Sequence, residues 1–209
     1  MLDSAAVPMA SILVVCTGNI CRSPMAEGFL RRLLSSRGVT GIELRSAGTS
    51  GWDGSAAAPE SVEAAAERGA DITAHLARRL DREMLEEADL ILAMCAEHRD
   101  AISALAPSAE PRTFTLKELV RLLEELPPPA ADGGGADLGE VLRDRIGAAE
   151  ALRRSGFEGN PLDEDISDPL GLPMASYRAV AWELDEWSAR LVDGLLGAAR
   201  PASLWSAEA

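Results

Sequence analysis

The chain has little cysteine, lysine or aromatic content. Among its 209 residues are three cysteines, one tyrosine, three phenylalanines, four tryptophans and a single lysine, Lys117. Three cysteines, an odd and small number, argue against a disulfide scaffold and for a reducing, cytoplasmic setting. No apolar run approaches the roughly 18 residues of a membrane span, so none is expected. The first ten residues lack a basic start and an apolar centre, and no signal peptide is expected. Positive charge is scarce as well: 20 Lys and Arg stand against 34 Asp and Glu, a formal net charge of −14. That excess disfavours nucleic acid or an anionic membrane as partners. Any anion site must therefore make its own local field, since charges beyond about 8 Å are screened.

What is present is a globular pattern. Hydrophobic residues make up 47% of the chain, enough for a real core in a single domain. The Ala richness and near-exclusive use of Arg suggest a GC-rich bacterial source. Apolar runs at 12–16, 42–46, 89–94 and 112–115 read as strands. Helix-spaced runs cover 25–35, 59–68, 96–105, 116–126, 137–153 and 175–196. Strands alternating with helices predict an α/β fold with a parallel sheet covered on both faces. Residues 1–10 read as a flexible leader, with Met9 a second candidate start. Residues 11–198 form one domain, and 199–209 a flexible tail. Pro127-Pro128-Pro129 and Gly133-Gly134-Gly135 mark 127–165 as an insertion, which is expected to cover or extend a cleft.

The chemistry concentrates in Cys16-Thr17-Gly18-Asn19-Ile20-Cys21-Arg22-Ser23, between the first strand and the helix that begins Pro24-Met25-Ala26-Glu27. A loop in this place can wrap backbone N–H groups around one point at a helix N-terminus, which favours an anion. The same donors favour the thiolate of Cys16, the reactive form of cysteine. Arg22 supplies a planar fork for two oxygens of an oxyanion. Gly18 lets the backbone approach closely, and Asn19 can take a left-handed turn that aims N–H groups inward. Ser23 can donate its hydroxyl to the sulfur. The pattern implies nucleophilic attack on phosphorus or on a mimic such as arsenate. The missing Lys and second Gly exclude a nucleotide phosphate-binding loop. A leaving oxygen needs an acid, and Asp168 in Asp168-Pro169 is a candidate, although a helix-leading turn explains the same dipeptide.

Residues 15–27, from Val15 to Glu27, resemble the signature of the low-molecular-weight protein tyrosine phosphatases. The likeness continues at Ser46-Ala47-Gly48-Thr49-Ser50-Gly51-Trp52, His75-Leu76-Ala77-Arg78, Ala88 to Met94 and Asp168-Pro169, over residues 11–106 and 163–196. The resemblance implies three layers around a four-stranded parallel sheet of order 2-1-3-4, with the loop at the topological switch point. It implies Cys16 as nucleophile forming a phosphocysteine, Arg22 as phosphate binder beside the backbone of residues 17–23, and Asp168 as general acid and base. It also implies Asn19 held by Ser46 and His75, Glu27 paired with Arg22, and Trp52 as one cleft wall. No metal or organic cofactor is implied. The expected partners are phosphotyrosine proteins, including a bacterial tyrosine kinase, and the expected inhibitors are phosphate-like oxyanions.

Several residues depart from the family pattern. Leu170-Gly171-Leu172 follows Asp168-Pro169 where aromatic residues often stand, which makes that cleft wall aliphatic. Cys95 follows Met94 where Asp or Thr is usual. Related arsenate reductases place a cysteine near Cys95, but their further cysteine is Ile102 here. Cys21 can act in the family as a disulfide partner that shields the nucleophile. Protein arginine phosphatases of the family carry Thr at the position of Ile20, so Ile20 favours phosphotyrosine. His98 reads as a solvated helix residue, and the acidic run 163–168 as a solvated loop in which only Asp168 has a role. The readings that compete with a tyrosine phosphatase are therefore an arsenate reductase using Cys16, a protein arginine phosphatase and a phosphate-binding module without turnover.

Overall fold

The computed structural model describes residues 10–50, 52–129, 137–157 and 163–197. Most of the expected leader, the whole expected tail and parts of the insertion fall outside these residues. Four parallel strands, β1 (Ala10–Cys16), β2 (Ile42–Gly48), β3 (Leu90–Ala93) and β4 (Thr113–Thr115), lie in the order β2-β1-β3-β4. The helices are α1 (Arg22–Ser36), α2 (Pro59–Glu67), α3 (Arg82–Glu87), α4 (Ala96–Leu105), α5 (Leu116–Glu125), α6 (Leu138–Arg154) and α7 (Met174–Leu196). A 3₁₀ segment, Pro107–Arg112, precedes β4. The α/β class and strand order are those expected. The short α3 and the 3₁₀ segment were not, because six residues give too little periodicity to read.

The central strands read as unbroken apolar runs because both of their faces are covered. Ile12, Val14 and Cys16 of β1, with Leu90 and Leu92 of β3, join the core under α1, α2, α5, α6 and α7. Leu13 and Val15, with Ile91 and Ala93, join the second core under α3, α4 and the 3₁₀ segment. Phe29 and Phe114 are fully buried; a side chain of that size contributes about 1.5–3 kcal/mol by leaving water.

Helix α6 belongs to the first core through Leu142, Ile146 and Ala149. Its Arg143 reaches Asp89, just before β3, and its Arg153 donates to the Thr113 carbonyl at the start of β4. The helix therefore lies by the amino ends of these strands, opposite the loop that follows β1. This helix of the insertion does not cover a cleft at the carboxyl ends. The acidic run is largely exposed, as expected, but it is also tied down. Lys117 Nζ, almost wholly buried, bonds Asp163 Oδ1 at 2.9 Å, the Asp165 carbonyl at 3.1 Å and Glu183 Oε1 at 2.6 Å. Asp165 Oδ1 accepts from Ala96 N at the start of α4, and Ile166 N donates to the Met94 carbonyl.

Candidate active site

Residues 16–21 leave the end of β1 and turn directly into α1. Five consecutive carbonyls in this loop are held from outside. Cys16 O accepts from Thr49 N at 2.9 Å, Thr17 O from Ser50 N at 3.0 Å and Gly18 O from Trp52 N at 3.4 Å. Asn19 O meets His75 Nε2 at 2.7 Å, and Ile20 O accepts from Ala58 N at 2.8 Å. In a trans peptide the C=O and the following N–H point in opposite directions. Turning these carbonyls outward therefore aims the N–H groups of Thr17 to Cys21 inward. Asn19, in the expected left-handed conformation at φ 56°, donates its N–H to Cys16 Sγ at 3.3 Å, which marks where the donors converge.

The Asn19 side chain orders the polar groups beneath the loop. Its Nδ2 donates to Ser23 Oγ at 2.8 Å and to Ser46 Oγ at 2.9 Å, and its Oδ1 accepts from Arg78 N at 2.8 Å. With its oxygen accepting from Asn19, Ser23 keeps its proton for Cys16 Sγ, 3.0 Å away. Two donors then meet the sulfur, an arrangement that suits a thiolate. Ser46 likewise passes its proton to Glu27 Oε2 at 2.7 Å. Ser46 and His75 support Asn19 as expected, but Asn19 is the donor to Ser46, and His75 holds the backbone carbonyl. Glu27 does not pair with Arg22. It takes the Ser46 hydroxyl and the exposed Arg31, one helical turn along α1.

Arg22 opens α1 and is buried. Its Nη1 donates to the Ile166 carbonyl at 3.1 Å, and its Nη2 to Thr17 Oγ1 at 3.1 Å and Asp168 Oδ2 at 2.5 Å. Its Nε is buried with no partner among the described residues. An unsatisfied donor on a buried cation is costly, and an oxyanion in the loop would satisfy it. Asp168 is half-exposed at the rim, where Leu170 N caps its other oxygen at 3.1 Å. Beside the loop lies a groove of about 630 Å³, lined by Ile20, Trp52, Pro59, Leu170, Leu172 and Tyr177. Trp52 is half-exposed on the expected wall. The three cysteines are all unpaired and buried. Burial pushes the thiols of Cys21 and Cys95 up from the ordinary range, which makes them weaker nucleophiles at neutral pH.

A family model described as low molecular weight phosphotyrosine protein phosphatase matches residues 11–152. The chain belongs to that family. Over 184 residues it is 33% identical to a protein-arginine-phosphatase of Geobacillus stearothermophilus, covering 88% of this chain and 95% of the relative. Over 119 residues it is 40% identical to the low molecular weight protein-tyrosine-phosphatase Etp of Escherichia coli K12, covering 57% and 76%. Among solved structures it resembles the low molecular weight protein tyrosine phosphatase of T. tengcongensis, with a TM-score of 0.65 and 32% identity over 89% of this chain and 99% of that one. The protein is thus a low molecular weight phosphatase, with relatives named for both tyrosine and arginine.

Two residues that shape this phosphatase site were given no role in it from the sequence. Gly48 ends β2 directly under the loop, and a Cβ there would stand 2.6 Å from Thr17 O and 3.0 Å from Asn19 N. The Ala-Gly dipeptide was the visible signal. His98 is not solvated. It is 3% exposed, with Nε2 2.9 Å from Thr17 Oγ1 and Nδ1 3.1 Å from Cys95 Sγ. Burial first, then the charge of Arg22, push its pKa from 6.5 down to about 4. The sequence carried no sign of that contact, which joins residues 81 positions apart.

Proposed function

We propose that the protein is a protein tyrosine phosphatase acting in the bacterial cytoplasm through a phosphocysteine intermediate. The inward-turned N–H groups of Thr17 to Cys21, focused beside Cys16 Sγ, are the observation that carries this reading. Phosphate oxygens occupy the cradle and the free Arg22 Nε. The Cys16 thiolate attacks phosphorus, the S–P bond forms as the P–O bond to the phenol breaks, and Asp168 gives its proton to the leaving oxygen. Asp168 then takes a proton from water as that water attacks phosphorus, the S–P bond breaks, and Ser23 stabilises the departing thiolate. Arg22 and the backbone donors hold the charge that grows on the equatorial oxygens.

For the substrate, the apolar part of the groove suits an aryl ring. Ile20, Trp52, Leu170 and Leu172 offer apolar surface to a flat ring, while Glu60 and Ser55 are the acceptors that a charged guanidinium would find on the same lining. Phosphotyrosine proteins, with a tyrosine kinase among them, are the corresponding partners. The second reading, protein arginine phosphatase, is favoured by the likeness to the Geobacillus relative over nearly its whole length. Arsenate reduction has less support, because Cys95 is a buried thiol held by His98.

The test is a side-by-side assay of a phosphotyrosine peptide, a phosphoarginine peptide and thiol-dependent arsenate reduction. Fastest turnover of phosphotyrosine is expected; higher kcat/KM on phosphoarginine would replace the tyrosine reading with the arginine one.

A further inference from the structure

His98 has no part in the chemistry above, yet it is buried against the loop. Its surroundings link it to Arg22 through a chain of hydrogen bonds. Arg22 can only donate, so Thr17 Oγ1 accepts from Arg22 Nη2 at 3.1 Å. Thr17 Oγ1 also lies 2.9 Å from His98 Nε2, and its one proton goes to that nitrogen in the tautomer that leaves Nε2 bare. In that tautomer Nδ1 carries the imidazole proton and donates it to Cys95 Sγ at 3.1 Å; in the other, the Cys95 thiol donates to Nδ1 and Nε2 donates to Thr17. The first tautomer lets Thr17 use both its lone pair and its proton within the chain Arg22–Thr17–His98–Cys95.

We infer that His98 is a positioning residue of the phosphatase site: as a neutral acceptor it orients the Thr17 hydroxyl, which in turn presents a lone pair to Arg22 and holds the guanidinium in its phosphate-binding pose. The inference rests on the reading of Arg22 as the phosphate binder. An imidazolium in this place would donate from both nitrogens, turn the Thr17 proton away and set a second cation next to Arg22. Burial and the Arg22 charge keep the ring neutral at neutral pH. Arg22 has two other anchors, the Ile166 carbonyl and Asp168. Asp168 must be free to exchange protons with substrate and water, so it cannot be a constant anchor during turnover. Thr17, backed by His98, is an anchor on the loop itself that does not change protonation.

The test uses inorganic phosphate as the probe, with affinity measured by calorimetry. His98→Leu removes the acceptor, and His98→Gln returns one near the position of Nε2. Phosphate affinity is expected to fall about tenfold in His98→Leu and to recover most of the way in His98→Gln. Thr17→Val, a change at an exposed position, is expected to match the loss in His98→Leu, and the double variant to lose no more than either single one. Unchanged phosphate affinity in Thr17→Val overturns the inference even where His98→Leu does not fold. Additive losses in the double variant, or no recovery in His98→Gln, overturn it as well. The measurement needs no turnover, so a wild-type protein that binds phosphate yet ignores phosphotyrosine would refute the tyrosine reading alone.

Discussion

Arg22 Nη2 and Asp168 Oδ2 lie 2.5 Å apart, so the cation proposed to bind phosphate and the carboxylate proposed as the acid hold each other across the site. A dianion bound at Arg22 shares that cation with Asp168 and is repelled by it. Asp168→Asn removes the repulsion and the transferable proton together. The expected result is about a 10²-fold fall in kcat for an aryl phosphate with a poor leaving group, a smaller fall for a good one, and tighter inhibition by phosphate. Steady-state kinetics across a series of substituted phenyl phosphates measure all three. Equal losses across the series would remove Asp168 as the acid.

Cys16→Ser keeps the outward-held carbonyls and exchanges the sulfur for a poor nucleophile. Turnover is expected to drop at least about 10³-fold, while phosphate and vanadate still bind. Rapid acid quench of the wild-type protein with an aryl phosphate should trap a phosphorylated chain, and the variant should trap none. Residual turnover near the wild-type rate would end the thiolate mechanism.

Gly48→Ala places a methyl group against backbone atoms of Thr17, Gly18 and Asn19, none of which is a flexible side-chain end. The loop must shift by tenths of an ångström or more. Stability is expected to fall by about 1–3 kcal/mol and kcat/KM by about 10²-fold. Thermal melting together with kinetics checks the pair. A wild-type kcat/KM would show that the loop tolerates displacement.

Lys117 gathers Asp163, the Asp165 carbonyl and Glu183 around one buried ammonium, and the same segment ends in Asp168. Lys117→Met leaves those partners without their cation. The cost to stability is about 1–3 kcal/mol, below that of a fully enclosed pair because the Asp163 side chain is half-exposed. The kinetic signature should resemble a mild Asp168→Asn, with a larger loss on poor leaving groups than on good ones.

The fold should also lose stability in acid through His98. Its folded pKa of about 4 lies below the 6.5 of the free side chain, so between these values the unfolded chain binds the additional proton. Stability therefore falls as pH drops from 6.5 towards 4, by at most about 3 kcal/mol from this group. The melting temperature of His98→Gln, followed over the same range, should fall less steeply than that of the wild type.

The residues that sequence made legible are those whose partners lie close in the chain. Cys16 to Ser23 is a contiguous loop, its strand and helix adjoin it, and the helix Ala96–Leu105 follows closely on β3. Asp168 was ambiguous from its own neighbourhood and became a candidate through the family pattern alone, since its partner Arg22 is 146 residues away. Glu27 was assigned to Arg22, but on α1 the side chain of Arg31 is one turn distant and Ser46 faces it from β2. His98 was misplaced for a related reason. A polar residue in the first turn of a helix ordinarily faces water, and only the packing of α4 against the loop buries it. The acidic run is exposed as expected, but its tie to Lys117 was not legible because that cation stands on α5.

The five outward carbonyls of Cys16 to Ile20 have a further consequence. Each is bound by a group on another part of the chain, so no peptide plane in the loop can flip without breaking a tertiary contact. The cradle therefore has a fixed size and cannot remodel itself around what enters. Such a site sorts anions by shape before charge. Tetrahedral phosphate, arsenate and sulfate reach donors on every side, whereas planar nitrate and carbonate leave some of the ring unmet, and in a chain of formal charge −14 those unmet donors are what a wrong anion would need.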